Sequence, residues 1–171
     1  GIEAAARAGC RWVEVDAMLS RDGVAVLHHD YLLRRTAGLR KRVDSLTAKE
    51  LAQVDVGARS EPALPEATIP TLEQALALME RFALTPNIEI KPPPNREVET
   101  AEAVVAALRR AWPANGPRPL VSSFMTAALR RARDIAPEIP RALITIRPPR
   151  KWRQALDDLD SNILHVSRKH L

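Results

Sequence analysis

The chain has 171 residues, of which 46% are hydrophobic and 27% charged, enough for one globular domain, residues 1–171, with a true core. Its net charge of +5 suits an anionic partner, but the basic residues are spread along the chain and only 4% of residues are aromatic, which excludes the basic, ring-studded surface that grips nucleic acid. The lack of any run of about 18 apolar residues excludes a membrane-spanning helix, and the lone Cys10 excludes an intramolecular disulfide or a cysteine zinc site; the expected setting is cytoplasmic, with Cys10 as a buried structural thiol.

Ile2 to Ala8 reads as a short alanine-rich helix closed by Gly9. Trp12 to Ala17 follows as a strand. Strand side chains alternate, so Val13 and Val15 share one face while Trp12, Glu14 and Asp16 share the other. Asp22-Gly23 marks a turn, and a second short strand, Val24 to Leu27, delivers His28, His29 and Asp30 at its end. Residues 31–70 are the least regular part. Within them, Ser45 to Leu51 reads as one helical turn with Thr47 and Glu50 forming a capping box. Pro62, Pro65 and Pro70 shape residues 58–70 into a surface loop of a size that usually serves function. The cluster Arg34, Arg35, Arg40 and Arg42 reads as a solvated loop, with anion attraction as the alternative.

Regular alternation then begins. Thr71 caps a helix running to about Phe82, and Pro86 precedes a strand, Asn87 to Lys91, in which Asn87, Glu89 and Lys91 face one way and Ile88 and Ile90 the other. A helix from Glu97 to Trp112, a strand from Leu120 to Phe124 and a helix from Thr126 to Ala136 follow. A strand from Ala142 to Ile146, a helix from Trp152 to Leu159 and a strand from Asn162 to Val166 complete the chain. Strands separated by single helices indicate an α/β fold with a parallel sheet. Two strands with one charged face favour a TIM (β/α)8 barrel over a doubly wound sheet, because the strand ends of a barrel gather at one mouth. A complete barrel takes about 250 residues. About five of the eight strands fit here, with the first and the last two missing, residues 31–70 as an insertion, and both chain ends reading as cut.

Glu14, Asp16 and Glu89 are then three carboxylates facing a common interior from neighbouring strands. Oxygen-only ligands of this kind favour a hard cation such as Mg²⁺ or Ca²⁺, and Lys91 would add positive charge for an anionic group. The same residues also read as an internal salt-bridge network, with Lys91 against Glu89 and an arginine against Glu14 and Asp16. His28 and His29 read either as packing residues or as groups able to pass a proton to a leaving oxygen. His165 and His170 read as bland, and Ser122-Ser123 lacks the context of a nucleophile.

The stretch WVEVDAMLSRDGVAVLHHDYLLRRTAG resembles the glycerophosphodiester phosphodiesterases in its acidic pair, Arg-Asp-Gly turn, apolar strand, His-Asp step and Leu-x-Arg-Thr segment. VDSLTAKELAQVDVGA, IPTLEQALAL, NIEIK, VSSF and SNILHVSRKHL continue the resemblance in family order, over nearly the whole chain, and look most like the short cytosolic bacterial members. The resemblance implies a TIM barrel that hydrolyses glycerophosphodiesters to glycerol 3-phosphate and an alcohol. By the same resemblance Glu14, Asp16 and Glu89 are metal ligands for Mg²⁺ or Ca²⁺, His29 is the acid/base histidine, and Lys91 lies near the substrate phosphate. Residues 31–70 become the insertion over the barrel mouth. The family's second catalytic histidine, in a His-Arg-Gly motif, is not among these residues, so the isolated chain is expected to be inactive. The implied partner is a small anionic phosphodiester, without nucleic acid or stable membrane insertion and with the oligomeric state open. Two alternatives stand beside this one. A phospholipase C- or D-like enzyme acting on lipid head groups should expose apolar residues at the mouth, yet residues 31–70 hold one aromatic, Tyr31. A catalytically dead barrel would serve in binding.

Overall fold

The computed structural model describes residues 1–60, 62–64 and 66–170, and among these lie six strands and seven helices, in the expected order apart from a short helix at 34–37 in what reads as a loop. Helix α1 (Ile2–Arg7) turns back at Gly9, where Cys10 N–H donates to Ala5 O at 3.0 Å. Cys10 itself is exposed and not the buried thiol expected, because it lies in the turn that this hydrogen bond closes and α1 buries no residue of its own. Strand β1 (Trp12–Leu19) runs two residues beyond the expected end, and β2 (Ala25–Leu27) folds back on it antiparallel.

Residues 31–70 are more ordered than their sequence suggests. They contain α2 (Arg34–Ala37), a 3₁₀ turn at Val43–Ser45 and α3 (Ala48–Leu51), the last started by the expected reciprocal bonds between Thr47 and Glu50. Leu33, Val43, Leu46, Leu51 and Ile69 bury themselves against Met18 and Val26 as a small core of their own. These residues follow no helical or strand period, which is why the core is invisible along the chain. Of the prolines expected to shape residues 58–70, Pro65 lies outside the described residues, as do Glu61 and Leu171.

The remainder alternates: α4 (Leu72–Arg81), β3 (Thr85–Ile90), α5 (Glu97–Ala111), β4 (Leu120–Ser123), α6 (Thr126–Ile135), β5 (Arg141–Thr145), α7 (Trp152–Asp157) and β6 (Ile163–Val166). Pro86, expected just before β3, lies inside it. Thr85 N–H donates towards β1, to Arg11 O at 2.8 Å, so the missing N–H of Pro86 faces β4. Pairing with β4 begins only at Asn87, and the proline costs no ladder bond.

The sheet order is β2-β1-β3-β4-β5-β6, parallel throughout except at β2. All the crossover helices pack on one face. Ile88, Ile90 and Val121 meet Leu72 and Leu76 of α4, Val104 and Leu108 of α5 and Ala128 of α6, while Leu143 meets Leu129 of α6 and Leu156 of α7. Burying each of the larger aliphatic side chains contributes about 1.5–3 kcal/mol. A doubly wound sheet carries helices on both faces, whereas a barrel wall carries them outside only. The parallel strands are therefore an arc of barrel wall, open within the described residues. The charged face of β1 and β3 is its inner surface.

Candidate active site

In β1 and β3 the register sets Glu14 beside Asn87 and Asp16 beside Glu89, so residues that alternation places on one face also become neighbours across it. One carboxylate oxygen from each of Glu14, Asp16 and Glu89 lies within 4.8 Å of the others. Burial is the main force holding the carboxyl groups of Glu14 and Glu89 above the usual glutamate range, and the charge of Asp16 adds to it in both. Lys91, just past β3, donates from Nζ to Asp16 Oδ1 at 3.1 Å.

This geometry separates the two readings of the charged face. Lys91 answers Asp16 and not Glu89, and among the described residues no arginine pairs with Glu14 or Asp16. One ammonium faces three carboxylates, so an ion-pair network leaves the cluster under-neutralised. Two neighbours on the same face, Asn87 Oδ1 and Ser122 Oγ, are buried without a hydrogen-bond partner. An all-oxygen donor set flanked by unpartnered polar oxygens fits a hydrated hard cation.

The end of β2 brings the histidines alongside, for His28 N–H donates to Asp16 O at 3.2 Å. The two imidazoles then part. His28 is buried with Nδ1 2.7 Å from Asp30 O and Nε2 3.0 Å from Thr36 Oγ1. A carbonyl only accepts, so Nδ1 carries the proton and Nε2 accepts from the Thr36 hydroxyl. Burial lowers the pKa of His28 and favours this neutral form. His29 is exposed, and its Nδ1 lies 2.6 Å from Asp30 Oδ1. Arg35 Nε donates to the other oxygen of Asp30 at 2.6 Å. Arg35 first, and then His29, hold the Asp30 carboxyl down at about 2. Asp30 thus orients the His29 ring and leaves Nε2 for a reacting group. Arg35, part of a cluster expected to be solvated, is committed to this pair.

Two clefts meet at this point. One, of about 280 Å³, is bounded by His29, Tyr31, Glu89, Lys91, Phe124 and Met125. The other, of about 740 Å³, shares His29, Tyr31 and Lys91 and opens towards α2. Of the residues expected at a site, Glu14, Asp16, Glu89, His29 and Lys91 are brought together, and His28 becomes a structural tie. Phe124 and Met125 gave no sequence signal beyond their place after β4. His165 pairs with Ile144, and that register puts it on the inner face with Ser122 and Glu89. The alternation of Ile163 and His165 could have revealed this.

The family model described as the glycerophosphoryl diester phosphodiesterase family matches residues 1–170. The chain belongs to this family. A family member from Bacillus altitudinis, a glycerophosphodiester phosphodiesterase, is 30% identical over 145 residues, covering 84% of this chain and 58% of that protein. Mouse glycerophosphodiester phosphodiesterase 1 is 29% identical over 149 residues, which is 86% of this chain and 44% of the mouse protein. The chain thus spans about half the length of the curated relatives it matches. An Oleispira antarctica phosphodiesterase, solved in complex with its product sn-glycerol-3-phosphate, superimposes with a TM-score of 0.95 at 35% identity, covering 99% of this chain and 68% of that one. The inner-face arc is therefore part of the glycerophosphodiester phosphodiesterase barrel. No helix among the described residues is long and apolar enough to cross a membrane.

Proposed function

We propose that the protein hydrolyses glycerophosphodiesters to sn-glycerol 3-phosphate and an alcohol. Glu14, Asp16 and Glu89 hold a divalent cation, Mg²⁺ or Ca²⁺, Lys91 binds the phosphate and His29 serves as acid/base group. The carrying observation is the convergence of the three carboxylates within 4.8 Å beside a cleft that His29 and Lys91 both line. The product complex of the Oleispira antarctica relative supports a small anionic substrate, and residues 1–171 supply part of the single barrel domain that would act on it. An exposed, unpaired thiol such as Cys10 suits a cytoplasmic setting.

When bound, the cation supplies a Lewis-acidic anchor for phosphoryl oxygens. The chain's own residues do the rest. Lys91, anchored by Asp16, presents its remaining N–H groups and its charge to the phosphate. His29, with Nδ1 fixed on Asp30, exchanges a proton with a substrate oxygen at Nε2. Phe124 and Met125 supply one apolar side of the cleft. The test is calorimetric binding of sn-glycerol 3-phosphate with and without Mg²⁺ or Ca²⁺. Binding should require the cation, and Glu14→Ala should abolish the rise in melting temperature that the cation produces. An unchanged rise would make the carboxylates ion-pair partners only.

One observation favours a second reading, lipid head-group cleavage. Tyr31, Leu32, Phe124, Met125 and Ile146 stand exposed beyond the C-terminal ends of β2, β4 and β5, an apolar rim that extends past the insertion. Cosedimentation with phosphatidylcholine vesicles decides between them: retention supports lipid head groups, and a free supernatant protein supports the soluble diesters.

A further inference from the structure

A phosphodiester has two ends, and the site has two clefts. His29, Tyr31 and Lys91 form their common wall, so a phosphate held at Lys91 extends one substituent into each. The smaller, about 280 Å³ and flanked by Phe124 and Met125, matches a three-carbon glyceryl group. The larger, about 740 Å³, is walled by Leu32, Arg34, Arg35 and Arg59 of the insertion. Arg35 is neutralised by Asp30 at 2.6 Å. Arg34 and Arg59 have no carboxylate partner among the described residues. Arg59 reaches the cleft over the end of α2. Its guanidinium lies over Gly38, where an added Cβ would stand 3.2 Å from Arg59 Nη1 and where φ is +73°, a conformation that favours glycine.

Two guanidinium groups without a carboxylate partner among the described residues line one cleft, so they repel each other and any cationic head group and suit an anion that both can fork. Choline in this cleft would face two like charges with one ring, Tyr31, to offset them. We infer that the larger cleft selects diesters whose alcohol carries a second anionic group, a phosphate or a carboxylate, with Arg34 and Arg59 as the specificity residues. This rests on the active-site reading proposed above.

The test is calorimetry on the cation-loaded protein with sn-glycerol 3-phosphate, glycerophosphocholine, glycerophosphoserine and glycerophosphoinositol 4-phosphate. The wild type should bind glycerophosphoinositol 4-phosphate about tenfold tighter than glycerophosphocholine, the advantage of one charge-assisted contact. Arg34→Gln with Arg59→Gln should remove that advantage and leave sn-glycerol 3-phosphate unchanged, while Arg34→Glu with Arg59→Glu should reverse the preference. A gain with glycerophosphoserine too extends the pocket to carboxylates, and a gain with the inositol phosphate alone assigns it to phosphate. An unchanged ratio in the double variants, or an equal loss for all four ligands, overturns the inference and leaves the phosphate site at Lys91 standing. Failure of sn-glycerol 3-phosphate to bind the wild type, or binding indifferent to Lys91→Gln, overturns the active-site reading and this one with it.

Discussion

Glu14 and Glu89 hold their protons to higher pH than a free glutamate does, and the sign of that shift sets how the site trades stability for function. A carboxyl whose pKa rises on folding stabilises the fold below the ordinary value of 4.5 and loses that contribution as pH rises through the raised one. Once ionised, the cluster therefore strains the metal-free protein. Glu14→Gln should raise the melting temperature in EDTA, and in excess Ca²⁺ or Mg²⁺ the order should invert. Asp30 behaves oppositely. Its carboxyl drops from 3.8 to about 2, so its contribution is full above about 4 and fades between there and about 2. Arg35→Gln should shift acid unfolding to higher pH, read by circular dichroism. Strand alternation alone places Glu14, Asp16, Glu89 and Lys91 on one face. The partner of Lys91 is beyond its reach, because the contact is diagonal and depends on how far a long side chain leans past the paired residue.

At the scale of elements, the helices and strands that follow Thr71 are legible because each carries its own period and its own punctuation. Thr71 caps its helix as the sequence implies, with Gln74 returning the bond, and Thr71→Ala should cost about 1 kcal/mol in chemical denaturation. What composition hides is the long-range tie. Arg141 opens β5 with its guanidinium buried, donating to the carbonyls of Ala136, Ile139, Leu159 and Asp160. One side chain thereby satisfies the loops that precede both β5 and β6. An arginine at a strand start looks like a surface residue in sequence, since its acceptors lie in two separate loops. Arg141→Met leaves buried carbonyls unsatisfied and should destabilise the protein by about 3 kcal/mol, measured by urea titration; a change below about 0.5 kcal/mol would mean that water replaces the guanidinium.

For the whole molecule, the barrel character is legible from two half-charged strands and is decided by the helices' packing on one face of the sheet. The insertion is legible as an insertion but its core is not, because the core residues gather from scattered positions. That core is small and separate from the one beneath the sheet, so Leu33→Ala, expected to cost about 2–5 kcal/mol locally, should speed hydrogen exchange in α2 and α3 while β3 and β4 stay protected. Uniform acceleration would show a single cooperative unit. The adjacent histidines give this arrangement its mechanical meaning. His28 is pinned to Thr36 of α2, and the next residue along the backbone is His29. Arg34 and Arg35 of that helix line the larger cleft, and Arg35 grips Asp30, which holds the His29 ring, so on the proposed roles a ligand that settles α2 also aims the proton-exchanging imidazole.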